Sequence, residues 1–302
     1  MRKLVTLGIT LILIGTTYMF REEIIIFLTR SFQELSKEVN IKEKNQYHIN
    51  YDLNYIENVN NIEIKNKQDL INVYYSIINS GYDEFTFICS KNYDNCMNEV
   101  LYLAEDETTL SNINSFVHPY NSFTSIGTQY NTLGQVTLNI DKTYDQEKID
   151  IINKEVDRII AEEIKDEKDT KEIIKIVHDY IINNTKYDRQ RADKNIIKYE
   201  SNTAYGVLIE HYGLCGGYTD AMSLFLNRYN IPNFKVVSEN HIWNAVFVNG
   251  NWYHLDLTWD DPILVTGEDT LEYTFFLIDT YELEELETNQ HFFDKQVFSE
   301  LG

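Results

Sequence analysis

The 302-residue sequence predicts an α+β fold in which helices pack on an antiparallel sheet. Two observations indicate this fold class. Amphipathic helical segments dominate residues 146–230, whereas short strand-like runs follow from residue 234 onward. An Asn249-Gly250 pair between two of those runs is a strong hairpin signal. Helices followed by hairpin-linked strands are typical of α+β proteins, not of parallel α/β folds.

The N-terminal segment predicts a membrane anchor over residues 1–28. Arg2 and Lys3 precede an uncharged run at residues 4–20, which is close to the length that spans a bilayer. The positive residues should stay in the cytoplasm, so we expect a single-pass protein of the cell membrane in which everything after the anchor is extracellular. A cleaved signal peptide and a buried soluble helix are the alternatives. Residues 29–45 are polar and charged, and we expect them to form a stalk.

Charge narrows the class of partner. The chain carries 48 acidic and 26 basic side chains, a formal net charge of -22. Such a field repels nucleic acid and anionic lipid surfaces, so neither is expected as a main partner, and the membrane contact is assigned to the N-terminal helix. The same field favours a cationic protein or peptide substrate.

Residues 46–145 are expected to form a smaller mixed α/β region. The pattern predicts a helix ending near Gly81 and strands at residues 84–90, 125–131 and 134–144. Cys89 and Cys96 lie close together in this region, either as a disulfide or as two unpaired thiols.

Residues 146–302 are expected to form a second, larger domain, on which the candidate site described below lies. Apolar residues at helical spacing predict helices at residues 146–166, 169–188 and 201–213, followed by a fourth that begins at Cys215. Asp169 and Glu172 are spaced as a capping box for the second of these. Strands are predicted at residues 234–239, 241–248, 251–259 and 273–279.

Cys215 lies between Gly213 and the pair Gly216-Gly217, where the fourth helix begins. Free N–H groups and the helix dipole favour a thiolate at a helix start. The alternative is a buried structural cysteine in a turn between helices.

The predicted hairpin supplies partners for this thiol. A two-residue turn at Asn249-Gly250 puts Trp243 opposite Asp256, so His241 and Asp256 become diagonal neighbours on one face of the sheet. A nucleophilic thiol needs an adjacent base, and the base needs a third group to orient it. The sequence therefore predicts a triad of Cys215 as nucleophile, His241 as base and Asp256 as the orienting group.

Stabilisation of an oxyanion needs two donors. The backbone N–H of Cys215 is one candidate, and Tyr187, Asn202 and Tyr205 are candidates for the other.

No cofactor and no metal are expected. A zinc site formed by Cys215, His241, His254 and Asp256 has suitable ligand types but lacks a typical ligand spacing. His178 lies among apolar helix residues and is interpreted as a core histidine.

Four segments resemble the bacterial transglutaminase-like, papain-related superfamily over roughly residues 170–285. They are "IVHDYIINNTKYD" with "SNTAYGVL", then "GLCGGYTDAMSLFLNRYNIP", "HIWNAVFVNGNWYHLDLTWDDP" and "YTFFLID", in that order. The resemblance implies a papain-like core and the same three triad residues. It also implies a thiol enzyme that acts on amide bonds through an acyl-enzyme, as a peptidase, an amidase or a protein-glutamine transferase. The alternative is a catalytically silent binding or scaffold protein with this fold at the cell surface.

Overall fold

A computed structural model describes residues 18–35, 38–262, 270–286 and 288–302. Helix α1 spans Arg21–Leu35, and the apolar side chains of residues 24–28 are exposed on it. Most of the apolar run at residues 4–20, on which the predicted anchor depends, lies outside the described residues. In the part of the chain that is described, every helix is too short or too polar to cross a membrane.

The stretch expected to be a stalk is partly folded onto the body. Strand β1 (Glu38–Asn40) pairs antiparallel with β2 (Asn61–Glu63). Val39 and Ile41 are buried, whereas their neighbours Glu38 and Asn40 are exposed. An apolar residue at every second position suits a strand with one buried face, so residues 38–41 do not form a free spacer.

The N-terminal region is a three-stranded antiparallel sheet with helices. The strand order is β3-β5-β4, with bounds β3 Glu84–Ile88, β4 Phe123–Tyr130 and β5 Gln135–Lys142. The helices are α2 Lys67–Asn79, α3 Cys96–Leu103 and α4 Glu107–Ser115. Cys89 and Cys96 form a disulfide that joins the end of β3 to the start of α3, which resolves the alternative left open by the sequence.

Two long helices open the second region where they were predicted. They are α5 (Gln146–Ile159), which continues as a π-helical turn at Ile160–Ile164, and α6 (Thr170–Asn184). The Asp169 side chain accepts a hydrogen bond from the backbone N–H of Glu172, as expected of an N-cap. The predicted capping box is only half formed, because the Asp169 N–H donates to the Glu167 side chain instead of Glu172.

The predicted third helix at residues 201–213 is present but shorter than expected. Residues 204–205 are α-helical, and a π-helical turn follows at Gly206–Glu210 and ends at His211, whose φ is 61°. The chain then becomes extended, because β7 (Tyr212–Gly213) pairs in parallel with β6 (Lys186–Tyr187). A short helix, α7 (Arg189–Lys194), lies between those strands in the chain. The pairing of β6 with β7 also explains why α6 stops at Asn184 instead of continuing to residue 188.

Helix α8 (Cys215–Arg228) leads into a four-stranded antiparallel sheet with the order β11-β10-β9-β8. The bounds are β8 Asn233–Val237, β9 Ile242–Val248, β10 Asn251–Leu255 and β11 Phe276–Ile278, followed by α9 Thr280–Glu285. Val248 faces Asn251 across the Asn249-Gly250 turn, so the predicted hairpin register is confirmed.

Strand β10 ends at Leu255, four residues before its predicted end. The Asp256 carboxylate accepts backbone hydrogen bonds from Thr258 at 2.9 Å and Trp259 at 3.3 Å, which turns the chain out of the sheet.

Helices packed on an antiparallel sheet confirm the α+β class. One buried cluster combines α5, α6 and α8 with one face of the sheet. A second cluster joins the N-terminal region to Phe234 and Trp243 of the sheet and to Phe298 near the C-terminus. The two regions thus share a core, and a domain boundary between residues 145 and 146 stays a prediction.

Candidate active site

Cys215 is the first residue of α8, at the helix start predicted from the sequence. Its free thiol is half-buried. The backbone of the preceding segment comes very close here, and the Leu214 N–H donates to the Ser201 oxygen at 2.7 Å. A Cβ atom added at Gly217 would lie 2.3 Å from that same oxygen. Because Gly217 has no side chain, segment 201–203 can pack directly against the start of the helix that carries Cys215.

Polar contacts hold α8 against β9. The Thr219 hydroxyl donates to the Cys215 carbonyl at 2.8 Å and lies 3.1 Å from the Ile242 carbonyl. The Asn244 amide donates to the Thr219 carbonyl at 3.1 Å and to the Ser223 hydroxyl at 2.8 Å. These buried contacts fix the position of the thiol relative to the strand that follows His241.

His241 and Asp256 form a close pair. His241 Nε2 lies 2.5 Å from Asp256 Oδ2, and the two side chains are 3% and 2% exposed. The His241 ring also stacks on Trp243, with 5.7 Å between the ring centroids. The diagonal contact predicted from the hairpin register is therefore present, although Asp256 lies just beyond the end of β10.

The electrostatics of the pair favour a charged imidazole. Burial acts to lower the pKa of His241, but the charge and hydrogen bond of Asp256, with a smaller contribution from Cys215, raise it to about 10. Burial acts to raise the pKa of Asp256, but the neighbouring histidines hold it well below its usual range. Asp256 is therefore ionised across the neutral pH range.

Cys215 lies on the other side of the imidazole. Its side chain is hydrogen-bonded to His241. Since Nε2 of His241 is engaged by Asp256, the nitrogen available to the thiol is Nδ1. The structure thus brings the three residues together in the order thiol, imidazole, carboxylate.

The thiol opens into a cavity of about 300 Å³. Tyr187, one of the three candidates for the second oxyanion donor, lines it, and burial and the nearby Cys215 raise the pKa of this tyrosine. Of the other two candidates, Asn202 has its backbone oxygen next to Gly216, and Tyr205 packs against the buried helical cluster. The cavity is lined by Tyr187, Cys215, Asn240, His241, Thr258, Trp259, Asp261, Pro262 and Gln290.

Two residues of the site, Gln290 and His291, come from a segment that the sequence analysis did not connect with it. Gln290 lines the cavity and accepts a hydrogen bond from the Trp259 indole at 3.2 Å. His291 is 5% exposed, and its Nε2 lies 2.9 Å from Asp256 Oδ2. Both come from a 3-10 turn at Asn289–His291, more than thirty residues after Asp256, and no local pattern connects them with the hairpin.

His254 is directed away from the thiol. Its Nδ1 accepts from the Trp243 indole at 2.9 Å, and its Nε2 lies 3.0 Å from the Thr280 hydroxyl. Burial lowers the pKa of His254 to about 3. The zinc set that included His254 therefore does not assemble around Cys215. His178 is fully buried between Asp179 and Asp260, as expected of a core histidine.

His241, Asp256 and His291 offer ligand atoms within 4.8 Å of one another, a spacing that could hold a metal ion. The two nitrogens lie 2.5 and 2.9 Å from the same oxygen. Two ligand atoms of one tetrahedral zinc ion lie farther apart, at about 3.3 Å, so these distances fit hydrogen bonds better.

Comparisons with known proteins show what the chain is similar to. A family model of the transglutaminase-like superfamily matches residues 158–257, a range that contains Cys215, His241 and Asp256 and ends before His291. A search of curated proteins found no match.

Two solved structures are similar in part. One, described as a TGase, shares 17% identity and a TM-score of 0.32 over 45% of this chain and 44% of its own. The other, from Cytophaga hutchinsonii and described as a candidate cysteine protease, shares 14% identity and a TM-score of 0.28 over 49% of this chain and 65% of its own. The chain thus spans less than two thirds of each.

Proposed function

On the premise that residues 158–257 form a domain of the transglutaminase-like superfamily, we propose that the chain is a thiol enzyme acting on amide bonds. Cys215 is the nucleophile, His241 the general base and acid, and Asp256 the group that orients the imidazole. One observation carries the proposal: a single buried imidazole contacts a helix-start thiol through one nitrogen and an ionised carboxylate through the other.

The reaction follows from these contacts. Cys215 Sγ forms a bond to the carbonyl carbon of the substrate, and the thiol proton resides on Nδ1 of His241. We assign the backbone N–H of Cys215, at the helix start, and the hydroxyl of Tyr187, which lines the same cavity, as the donors to the developing oxyanion. His241 gives its proton to the departing amine as the carbon–nitrogen bond breaks, which leaves a thioester on Cys215.

The second half of the reaction decides the product. Water attacking the thioester gives a peptidase or amidase, whereas an amine gives a transferase. In both cases His241 accepts a proton from the attacking group and Cys215 leaves as the thiolate. Because the cavity beside Cys215 is open to solvent, both water and a small amine can reach the thioester.

The substrate that we propose is a cationic protein or peptide. The chain has a net charge of -22. Asp261, whose buried carboxylate accepts a hydrogen bond from the Tyr218 hydroxyl, is among the residues that line the cavity. A negative field raises the local concentration of cationic substrates and increases their association rate at low ionic strength.

We further propose that the catalytic domain lies outside the cytoplasm, attached to the cell membrane by the apolar N-terminal segment. The Cys89–Cys96 disulfide supports an oxidising compartment. A topology reporter fused after residue 302 should read external, and a cytoplasmic signal would contradict this location.

The decisive test of function is alkylation of the folded protein with iodoacetamide near neutral pH. Since Cys89 and Cys96 are joined, Cys215 carries the free thiol among the three cysteines of the chain. We expect rapid labelling that is absent in Cys215→Ala and slower in His241→Ala. A slow rate unchanged by His241→Ala would exclude the thiol enzyme and favour a binding role.

The acyl acceptor is then identified with a glutamine-containing cationic peptide, with and without a fluorescent primary amine. Release of ammonia or a shorter peptide without the amine indicates hydrolysis. Incorporation of the amine indicates transfer. Cys215→Ala serves as the blank in both reactions.

A further inference from the structure

The second histidine on Asp256 has no role in the reaction described above. His291 Nε2 and His241 Nε2 lie 2.9 and 2.5 Å from the same oxygen, Oδ2 of Asp256. His291 is 5% exposed and is not among the residues that line the cavity, so it does not reach a substrate there. Any part it plays must act through Asp256.

The hydrogen-bond pattern defines which atoms donate. An ionised carboxylate only accepts, so both Nε2 atoms must donate to Asp256. His291 Nδ1 lies 2.5 Å from the Thr288 hydroxyl, which can donate to it. His291 is therefore the tautomer with its proton on Nε2, and both of its ring nitrogens have hydrogen-bond partners: Nε2–H donates to Asp256, and Nδ1 accepts from Thr288.

The ring of His291 is also fixed by packing. It stacks on Phe275, with ring centroids 4.9 Å apart and an angle of 15° between the planes. Trp243 meets it edge-on at 4.8 Å, and Trp259 does so at 5.2 Å. A ring held on several sides presents its donor in one direction.

With His291 in place, four donors surround the Asp256 carboxylate. Oδ1 accepts from the backbone of Thr258 and Trp259, and Oδ2 accepts from the two imidazoles. Rotation of the carboxylate would break bonds at both oxygens. We propose that His291 is a positioning residue that fixes Oδ2 of Asp256 and thereby the imidazole of His241, an inference that rests on the proposed thiol chemistry.

The test compares four variants of the full chain. His291→Phe keeps an aromatic ring for the stack on Phe275 but removes the donor, and His291→Gln keeps an N–H donor. His254→Phe is the matched control, because His254 is equally buried in the same aromatic cluster but does not contact Asp256. Thr288→Val provides a milder variant if His291→Phe does not fold.

Alkylation of Cys215 by iodoacetamide is the first readout. We expect His291→Phe to lower the rate constant roughly tenfold, the scale seen when a supporting hydrogen-bond partner is removed. His291→Gln should recover most of the rate, Thr288→Val should lie between them, and His254→Phe should stay within about twofold of wild type. A wild-type rate in His291→Phe, or no recovery with His291→Gln in folded protein, would overturn the inference.

The second readout does not depend on a reactive thiol. In protein labelled with ¹⁵N-histidine, the His241 Nε2–H proton in its short hydrogen bond should resonate far downfield. We expect His291→Phe to shift or broaden it and His254→Phe to preserve it; an unchanged resonance in His291→Phe would refute the positioning role. If wild-type Cys215 proves inert, the proposed function fails, while this spectrum still decides the role of His291.

Discussion

Replacing Asp256 by asparagine keeps the shape of the side chain and removes its charge, so it tests how strongly the His241–Asp256 pair stabilises the fold. The pKa of His241 rises from 6.5 to about 10 in the folded protein. One pKa unit corresponds to about 1.4 kcal/mol, so the protonated imidazole contributes about 5 kcal/mol to the free energy of unfolding.

The sign of the pH dependence follows from the direction of that shift. Because the folded-state pKa of His241 is raised, its contribution is fully present below pH 6.5 and is lost as the pH rises towards 10. The depressed pKa of Asp256 adds stability that is lost only as the pH falls through the acidic range. Above pH 6, therefore, His241 alone sets the pH dependence of the pair.

Urea unfolding at pH 6, 8 and 10.5 measures this contribution as a difference between wild type and Asp256→Asn. Other groups that titrate in this range, such as lysines and tyrosines, cancel in that difference. At pH 6 we expect the variant to be less stable by about 3–5 kcal/mol, the cost of breaking a buried ion pair. At pH 10.5 the gap should shrink to roughly 1–2 kcal/mol, the value of the lost hydrogen bonds. A gap that stays constant from pH 6 to pH 10.5 would refute the assignment of a charged His241.

Three further outcomes are expected. Gly217→Ala should lower stability by about 1–3 kcal/mol in thermal unfolding, because the added methyl group meets backbone at 2.3 Å. Gly216→Ala should cost less, because its nearest contact is 3.2 Å. Equal effects would contradict the packing argument. Replacing Cys89 and Cys96 together by serine should lower the free energy of unfolding by about 2.5 kcal/mol, the value of the loop-entropy relation. Alkylation of Cys215 should be unchanged, and a loss of labelling would link the disulfide to the site. Tyr187→Phe should reduce amide turnover at least tenfold while leaving alkylation near the wild-type rate, and unchanged turnover would exclude it as an oxyanion donor.

The parts of the site that the sequence predicts are those defined by local chain geometry. The Asn249-Gly250 turn sets the hairpin register, and this places His241 beside Asp256 without knowledge of the rest of the fold. The helix start at Cys215 is likewise marked by its own neighbours.

The parts that it does not predict depend on contacts between distant segments. The helix expected at residues 201–213 ends early, at Glu210, because Tyr212 and Gly213 pair in parallel with β6, and tertiary packing decides this pairing. His291 joins Asp256 from 35 residues away through a turn whose sequence shows no periodicity.

The buried cluster that joins the N-terminal region to Phe298 bears on how the protein can be divided for study. Phe298 packs on Phe116 at 5.5 Å and on Phe234 at 6.0 Å, and the Asn54 backbone bonds to the Glu300 carboxylate at 2.6 Å. The chain segment that carries His291 is thus held in place by contacts with N-terminal residues more than forty positions before the family match. A fragment trimmed to residues 146–302 would lose these contacts and expose the aromatic rings to water. The excised fragment should therefore aggregate or lose the contact between His291 and Asp256, and tests of the proposed activity require the N-terminal region as an integral part of the protein.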